Sequence, residues 1–130
     1  MDHIVVKWAS EKQHTIVASF EQAWDVQDFA LASTEMHHLA SSVSHDTSII
    51  VWHRVPPNAR MSTKLASIHK GQPPNIRNVF IVPYSWSTGI VLISTWIKII
   101  ERIYPSTAKV SMVKSIDEAL KAAGESPAVL

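Results

Sequence analysis

The sequence contains no cysteine, only three glycines and almost no excess charge of either sign. The missing cysteines exclude disulfides, thiolate nucleophiles and cysteine-based zinc sites, and they agree with a reducing compartment. Twelve Lys and Arg against eleven Asp and Glu give a net charge of +1, so no overall field attracts nucleic acid or anionic lipid. Neither a P-loop nor a dinucleotide-binding glycine motif occurs. We therefore expect no nucleic-acid partner and no nucleotide cofactor.

The length and composition predict one globular domain. The chain has 130 residues, of which 46% are hydrophobic and 18% are charged, and this is enough to build one core. The N-terminus lacks a secretory signal because Lys7, Glu11 and Lys12 interrupt its apolar character. We predict a single domain over residues 1–124, a flexible tail over 125–130 and a cytoplasmic location.

Residues 78–97 carry no charge and are the one stretch long enough to suggest a membrane span. Pro83, Ser85 and Gly89 interrupt it where a spanning helix would continue. We interpret the stretch as a buried strand, a loop and the first part of a helix. The protein is therefore not expected to be an integral membrane protein.

Hydrophobic periodicity predicts nine secondary-structure elements. The predicted strands are 3–9, 15–20, 48–55, 78–82 and 109–113, and the predicted helices are 23–43, 58–69, 86–104 and 115–123. The first two strands are separated by a short polar connection and should form an antiparallel hairpin. In the first helix the apolar stripe passes through either Phe29 or Leu31, and Ser115 with Glu118 has the spacing of a capping box. The order predicts an α/β domain with a mixed, mostly parallel five-stranded sheet and flanking helices.

Four segments of the sequence carry a resemblance to a known protein family. They are Trp24-Asp25 at the first long helix, Pro56-Pro57-Asn58-Ala59 after the third strand, IKIIERIYP at residues 97–105, and the ending VSMVKSIDEALKAA. Through these segments the chain is similar to small bacterial STAS-like proteins. With the element order, the chain resembles the STAS fold of anti-sigma-factor antagonists. The resemblance implies a non-enzymatic regulatory module that works through protein contacts. The phosphorylated members carry an Asp-Ser-Ser-Gly type motif that residues 54–63 lack, so Ser62 and Thr63 are interpreted as exposed helix residues and no phospho-switch is expected.

No set of side chains predicts a catalytic or metal site. The adjacent His37 and His38 point about 100° apart on a helix, and no HExxH spacing occurs among the seven histidines. The turn Ser-x-Ser-x-Gly at residues 85–89 lacks the first glycine of a nucleophile elbow. Ligand sites in α/β sheets lie beyond the carboxyl ends of strands. A possible pocket for a small ligand would therefore be formed by four residues at predicted strand ends: His53, Tyr84, Ser85 and Trp86.

The predicted helix over residues 86–104 has more apolar surface than one core-facing stripe requires. A second stripe, displaced around the helix, consists of Leu92, Trp96, Ile99 and Ile103. Large apolar side chains left in water favour a partner, so these residues are predicted to form a protein interface and to make the chain a homodimer. Two hypotheses follow: a non-enzymatic, STAS-like interaction module, and a small apolar ligand or lipid-binding domain.

Overall fold

The computed structural model describes residues 3–55, 73–85, 98 and 108–126. The secondary structure of this part of the chain is β1 (Ile4–Trp8), β2 (Thr15–Phe20), α1 (Val26–Ser41), β3 (Thr47–His53), β4 (Ile76–Val82), β5 (Lys109–Met112) and α2 (Ile116–Ala122). The helix predicted at 58–69 lies outside the described residues. So does the helix predicted at 86–104, apart from Lys98, which is helical and exposed.

The five described strands form one sheet in the order β1-β2-β3-β4-β5. β1 pairs antiparallel with β2, whereas β2, β3, β4 and β5 run parallel to one another. The β1–β2 hairpin is closed by a bond from the Ala9 N–H to the Thr15 carbonyl at 2.8 Å, and Gln13 in its turn has a positive φ of 55°. The predicted α/β class, the hairpin and the mixed five-stranded sheet are confirmed, and the STAS-like identity stays a prediction.

Two helices of the described part of the chain, α1 and α2, pack on opposite faces of the sheet, and each face presents different side chains because these alternate along every strand. On one face α1 covers β1 and β2, and on the other α2 covers β3 and β4. Ile16, Ala18 and Phe20 of β2 belong to the core under α1, whereas Val17 of the same strand belongs to the core under α2. Both faces of β2 are covered, and all six of its residues are buried.

Helix α1 begins three residues later than the sequence pattern predicts because Asp25 is its N-cap. The Asp25 carboxylate accepts from the Asp28 N–H at 2.8 Å, and the Asp28 carboxylate accepts from the Asp25 N–H at 3.0 Å. This reciprocal pair satisfies two amides that the first turn leaves without helical partners. Phe29 faces the core at 9% exposure and Leu31 faces solvent at 63%, which resolves the open alternative in favour of Phe29.

The predicted N-cap of the C-terminal helix is present, but its capping box is incomplete. The Ser115 hydroxyl accepts from the Glu118 N–H at 3.2 Å, while the Glu118 carboxylate accepts from the Lys114 N–H at 3.3 Å. Beyond α2, Glu125 is buried, and its carboxylate accepts from the Ser10 hydroxyl at 3.1 Å. The start of the predicted tail is therefore packed against the β1–β2 turn.

The uncharged stretch begins as predicted, with a strand that stops before Pro83. β4 starts two residues earlier than expected and ends at Val82, and both Val82 and Pro83 are buried. Within the described part of the chain, no helix has the length and apolar character needed to cross a membrane.

Asn75, the residue before β4, connects the end of α1 to the first residue of β3. Its side-chain Nδ2 donates to the carbonyls of Ala40 at 2.7 Å, His45 at 3.1 Å and Val43 at 3.3 Å. Its backbone carbonyl accepts from the Thr47 N–H at 2.7 Å. The amide therefore donates to two carbonyls of the turn after α1 and adds a donor to the Ala40 carbonyl, which also accepts from the Val43 N–H at 3.4 Å.

Replacing Asn75 with alanine is expected to lower the free energy of unfolding by about 1–3 kcal/mol, because several carbonyls lose their donor. Asn75→Asp keeps the shape but directs a carboxylate at the same carbonyls, so at neutral pH it should be at least as damaging. Urea unfolding of both variants measures the effect. A loss below about 0.5 kcal/mol for Asn75→Ala, the size of an ordinary surface change, would contradict this role.

Candidate functional site

β1 is the outermost strand at one end of the sheet, and its outer edge has no strand partner among the described residues. The Glu21 N–H donates to the His3 carbonyl and the Ala9 N–H to the Thr15 carbonyl, so residues 3, 5, 7 and 9 face β2. The alternate residues Ile4, Val6 and Trp8 therefore direct their backbone N–H and C=O groups away from the sheet. Such an edge can pair with another extended chain.

A half-open cleft of roughly 350 Å³ lies between β1 and α1. It is lined by His3, Ile4, Val6, Asp28, Leu31, Ala32 and Glu35. Ile4 and Ala32 are buried and Val6 is half-buried, which makes the floor apolar. Asp28, Leu31 and Glu35 come from successive turns of α1 at spacings of three and four, so they form one ridge beside the strand edge.

The cleft is acidic at neutral pH. The Asp28 carboxylate accepts from the Asp25 N–H, and this bond holds the pKa of Asp28 below its ordinary value despite some opposing desolvation. The His3 Nδ1 lies 2.9 Å from the Asp28 Oδ2 and lowers the pKa of Asp28 further. Glu35 adds a second, exposed carboxylate to the same ridge. The cleft therefore combines an apolar floor with two carboxylates on its helical wall.

Leu31 is the most exposed large apolar side chain among the described residues, at 63%, followed by Tyr84 at 55%. A single exposed leucine is ordinary on a protein surface. Leu31, however, lies between the carboxylates of Asp28 and Glu35 and next to the open edge of β1. One partner could therefore cover the leucine, the carboxylates and the strand edge together. The sequence contained a signal for this site, because the 28-31-35 spacing is helical, but the open edge of β1 depends on the order of the strands.

His53, the strand-end histidine of the predicted ligand pocket, lies on the α1 face of the sheet inside an aromatic cluster. Its ring centroid is 4.6 Å from that of Phe20 and 6.3 Å from that of Trp24. His53 is 7% exposed, its Nδ1 has no hydrogen-bond partner among the described residues, and burial lowers its pKa to about 4. His53 is therefore a neutral imidazole packed against rings of the core.

Tyr84 and Ser85, two other predicted pocket residues, follow β4, the parallel neighbour of β3, and so lie at the same end of the sheet as His53. Tyr84 is exposed and Ser85 is half-buried, while Trp86 lies outside the described residues. On the opposite face of β3, the Arg54 guanidinium lies 4.6 Å from the centre of the Trp52 ring. The structure thus places His53, Tyr84 and Ser85 at the same end of the sheet, where the strands β3 and β4 finish, but it buries His53 among aromatic rings.

The four predicted interface residues, Leu92, Trp96, Ile99 and Ile103, all lie outside the described residues. In the described ranges 3–55, 73–85 and 108–126, no three His, Asp or Glu side chains are grouped so that they could hold a metal ion.

Comparison with known proteins found no matching protein-family model, no matching curated protein and no matching solved structure.

Proposed function

We propose that this chain is a non-enzymatic, STAS-like protein-interaction module that binds its partner across the open edge of β1 and the adjacent face of α1. The observation that carries the proposal is the combination, at one place, of a strand edge with no partner among the described residues, a cleft with an apolar floor and acidic wall, and the exposed Leu31. Backbone groups at a strand edge give a partner strong directional bonds, and burial of a leucine adds about 1.5–3 kcal/mol.

The ligand-binding alternative would require space beside His53. The rings of Phe20 and Trp24 pack against the imidazole on the α1 side of the sheet, and this favours a structural role for His53. Interaction through the surface of β1 and α1 is therefore the better supported function.

We further propose that the module self-associates through the second apolar stripe of residues 86–104. The support is the sequence pattern, in which Leu92, Trp96, Ile99 and Ile103 repeat at three-and-four spacing beside a separate core-facing stripe. Lys98, two residues from Trp96, is exposed and helical. It offers a matched control position on the same segment.

Light scattering coupled to size exclusion tests self-association. The wild-type chain should elute above its monomer mass of 14.5 kDa at micromolar concentration, and Trp96→Glu should elute as a monomer. Lys98→Glu also places a carboxylate on this segment and should keep the wild-type mass. A wild-type mass of 14.5 kDa up to high micromolar concentration would contradict self-association.

A further inference from the structure

We propose that the open edge of β1 accepts an extended segment of a different polypeptide as an additional strand. This segment carries basic and apolar side chains toward α1 and an acidic side chain on the opposite face of the sheet. The inference rests on the proposed interaction function and names the chemistry of the partner. Addition of a strand to a sheet edge uses backbone bonds for affinity and alternate side chains for specificity.

The backbone of β1 provides the docking edge. Ile4, Val6 and Trp8 each direct an N–H and a C=O away from β2, at the two-residue repeat that a neighbouring strand needs. β1 is five residues long and has a regular register with β2. An incoming strand would therefore find a straight ladder of donors and acceptors.

The side chains on the α1 face favour a cation. An added strand would place alternate side chains against the cleft, whose floor contains Ile4 and Val6 and whose helical ridge carries Asp28 and Glu35. Asp28 is ionised at neutral pH, since its ordinary pKa of 3.8 already lies far below 7 and the bond from the Asp25 N–H lowers the pKa further. A lysine or arginine next to a β-branched residue would match this surface, with the cation at the carboxylates and the apolar residue against Val6 and Leu31.

The opposite face of the same edge favours an anion. Lys7 is exposed and points away from α1. The residues immediately before and after it, Val6 and Trp8, pack against the core under α1, and successive side chains of a strand face opposite sides. A side chain placed opposite Lys7 on a partner strand would be a glutamate or aspartate. The two faces therefore require opposite charges, and an alternating sequence of basic and acidic residues satisfies both.

A second copy of this chain matches the edge poorly. Antiparallel self-pairing centred on Val6 would place the two Lys7 side chains on one face as diagonal neighbours, about 7–8 Å apart. It would also bring two acidic ridges, each with Asp28 and Glu35, to the same side of the joined sheet. Lysine on an edge strand is a common guard against such self-pairing. The charges thus favour a different polypeptide.

Selection from a displayed library of random twelve-residue peptides against the immobilised full chain tests the proposal. The enriched peptides should share an alternating pattern of basic and β-branched residues on one side with an acidic residue on the other. Synthetic copies are then measured by fluorescence anisotropy. Raising the salt concentration should weaken their binding because charges contribute to it.

Three variants separate strand addition from other modes of binding. Val6→Pro removes an N–H that points away from β2, so it should leave the bonds of β1 to β2 in place but weaken peptide binding by about tenfold or more. Glu35→Lys should weaken binding to the same extent and, in a repeated selection, change the preference from basic to acidic. Thr34→Lys places a lysine at the neighbouring exposed position, a charge change of +1 where Glu35→Lys gives +2, and should change the affinity by less than about twofold.

The outcomes are distinct. A selection that returns no shared alternating pattern, or peptides that bind Val6→Pro and Glu35→Lys as tightly as the wild type, would overturn the strand proposal. So would a wild-type oligomer that Val6→Pro or Leu31→Glu dissociates, because a second copy would then occupy the edge. If the Val6→Pro variant does not fold, the test rests on Glu35→Lys, for which the repeated selection should favour acidic instead of basic residues. If the selection yields no shared pattern but the wild type self-associates, only strand addition is overturned. If the wild type is monomeric but binds the selected peptides, only self-association is overturned.

Discussion

Replacing Phe20 with alanine is expected to lower the free energy of unfolding by about 3–5 kcal/mol, the range for loss of a buried phenylalanine. Phe20 has no exposed surface and lies at the end of β2. Its ring contacts Trp24 edge-on at 5.1 Å between centroids, Phe29 at 6.0 Å and His53 at 4.6 Å. Alanine would leave a cavity among these rings, which come from different elements and cannot all move inward to fill it.

Urea unfolding followed by tryptophan fluorescence measures this loss. Tyr84→Ala is the matched control, because Tyr84 is also aromatic but 55% exposed, and it should change the free energy of unfolding by less than about 0.5 kcal/mol. A loss below about 2 kcal/mol for Phe20→Ala would show that the aromatic cluster collapses around the substitution, contrary to the close packing described above.

Stability is expected to fall by about 3 kcal/mol between pH 6.5 and pH 4 through His53 alone. Burial lowers the pKa of His53 to about 4, whereas an unfolded histidine titrates near its ordinary value of 6.5. Between these values the unfolded chain binds a proton that the folded chain does not, so acid favours unfolding. The contribution is fully present above pH 6.5 and is lost as the pH falls toward 4. A pKa difference of about 2.5 units corresponds to roughly 3 kcal/mol.

Urea unfolding of the wild type and of His53→Leu at a series of pH values measures the contribution of His53 to the free energy of unfolding. The variant should lose most of the slope between pH 6.5 and 4. His37 provides a graded comparison, since partial burial also lowers its pKa, and His37→Gln should remove a smaller part of the slope. Equal slopes for wild type and His53→Leu would mean that His53 is protonated at little cost in the folded protein.

The sequence predicted the elements best where the local signal was strong. β2 has the predicted bounds, since its six consecutive residues are all buried and a polar turn precedes it. The start of α1 was placed too early, because Trp24 has helical spacing but packs into the core from a residue before the N-cap Asp25. Periodicity could not choose between Phe29 and Leu31, although they lie two residues apart and therefore on nearly opposite faces of the helix.

The candidate site was harder to predict because it depends on contacts between distant residues. Nothing local in Ile4–Trp8 shows that β1 is an edge strand, since this follows from the sheet order. The burial of His53 likewise depends on Phe20 and Trp24, which are about thirty residues away in the sequence. His53 was correctly assigned to a strand end, but its aromatic surroundings could not be deduced from its neighbours Trp52 and Arg54.

Asn75 also contributes to the alignment of β3 and β4, because its backbone carbonyl accepts from the Thr47 N–H at 2.7 Å and from the Thr47 hydroxyl at 3.3 Å. The pairing of β3 with β4 shifts at its start, where Thr47 and Ser48 face Ile76 and Asn78, and Asn75 holds Thr47 immediately before this irregularity. A slip of one residue would exchange the two faces of β4 and turn Phe80 away from α2. One residue outside the sheet therefore helps to decide which helix each residue of β4 contacts.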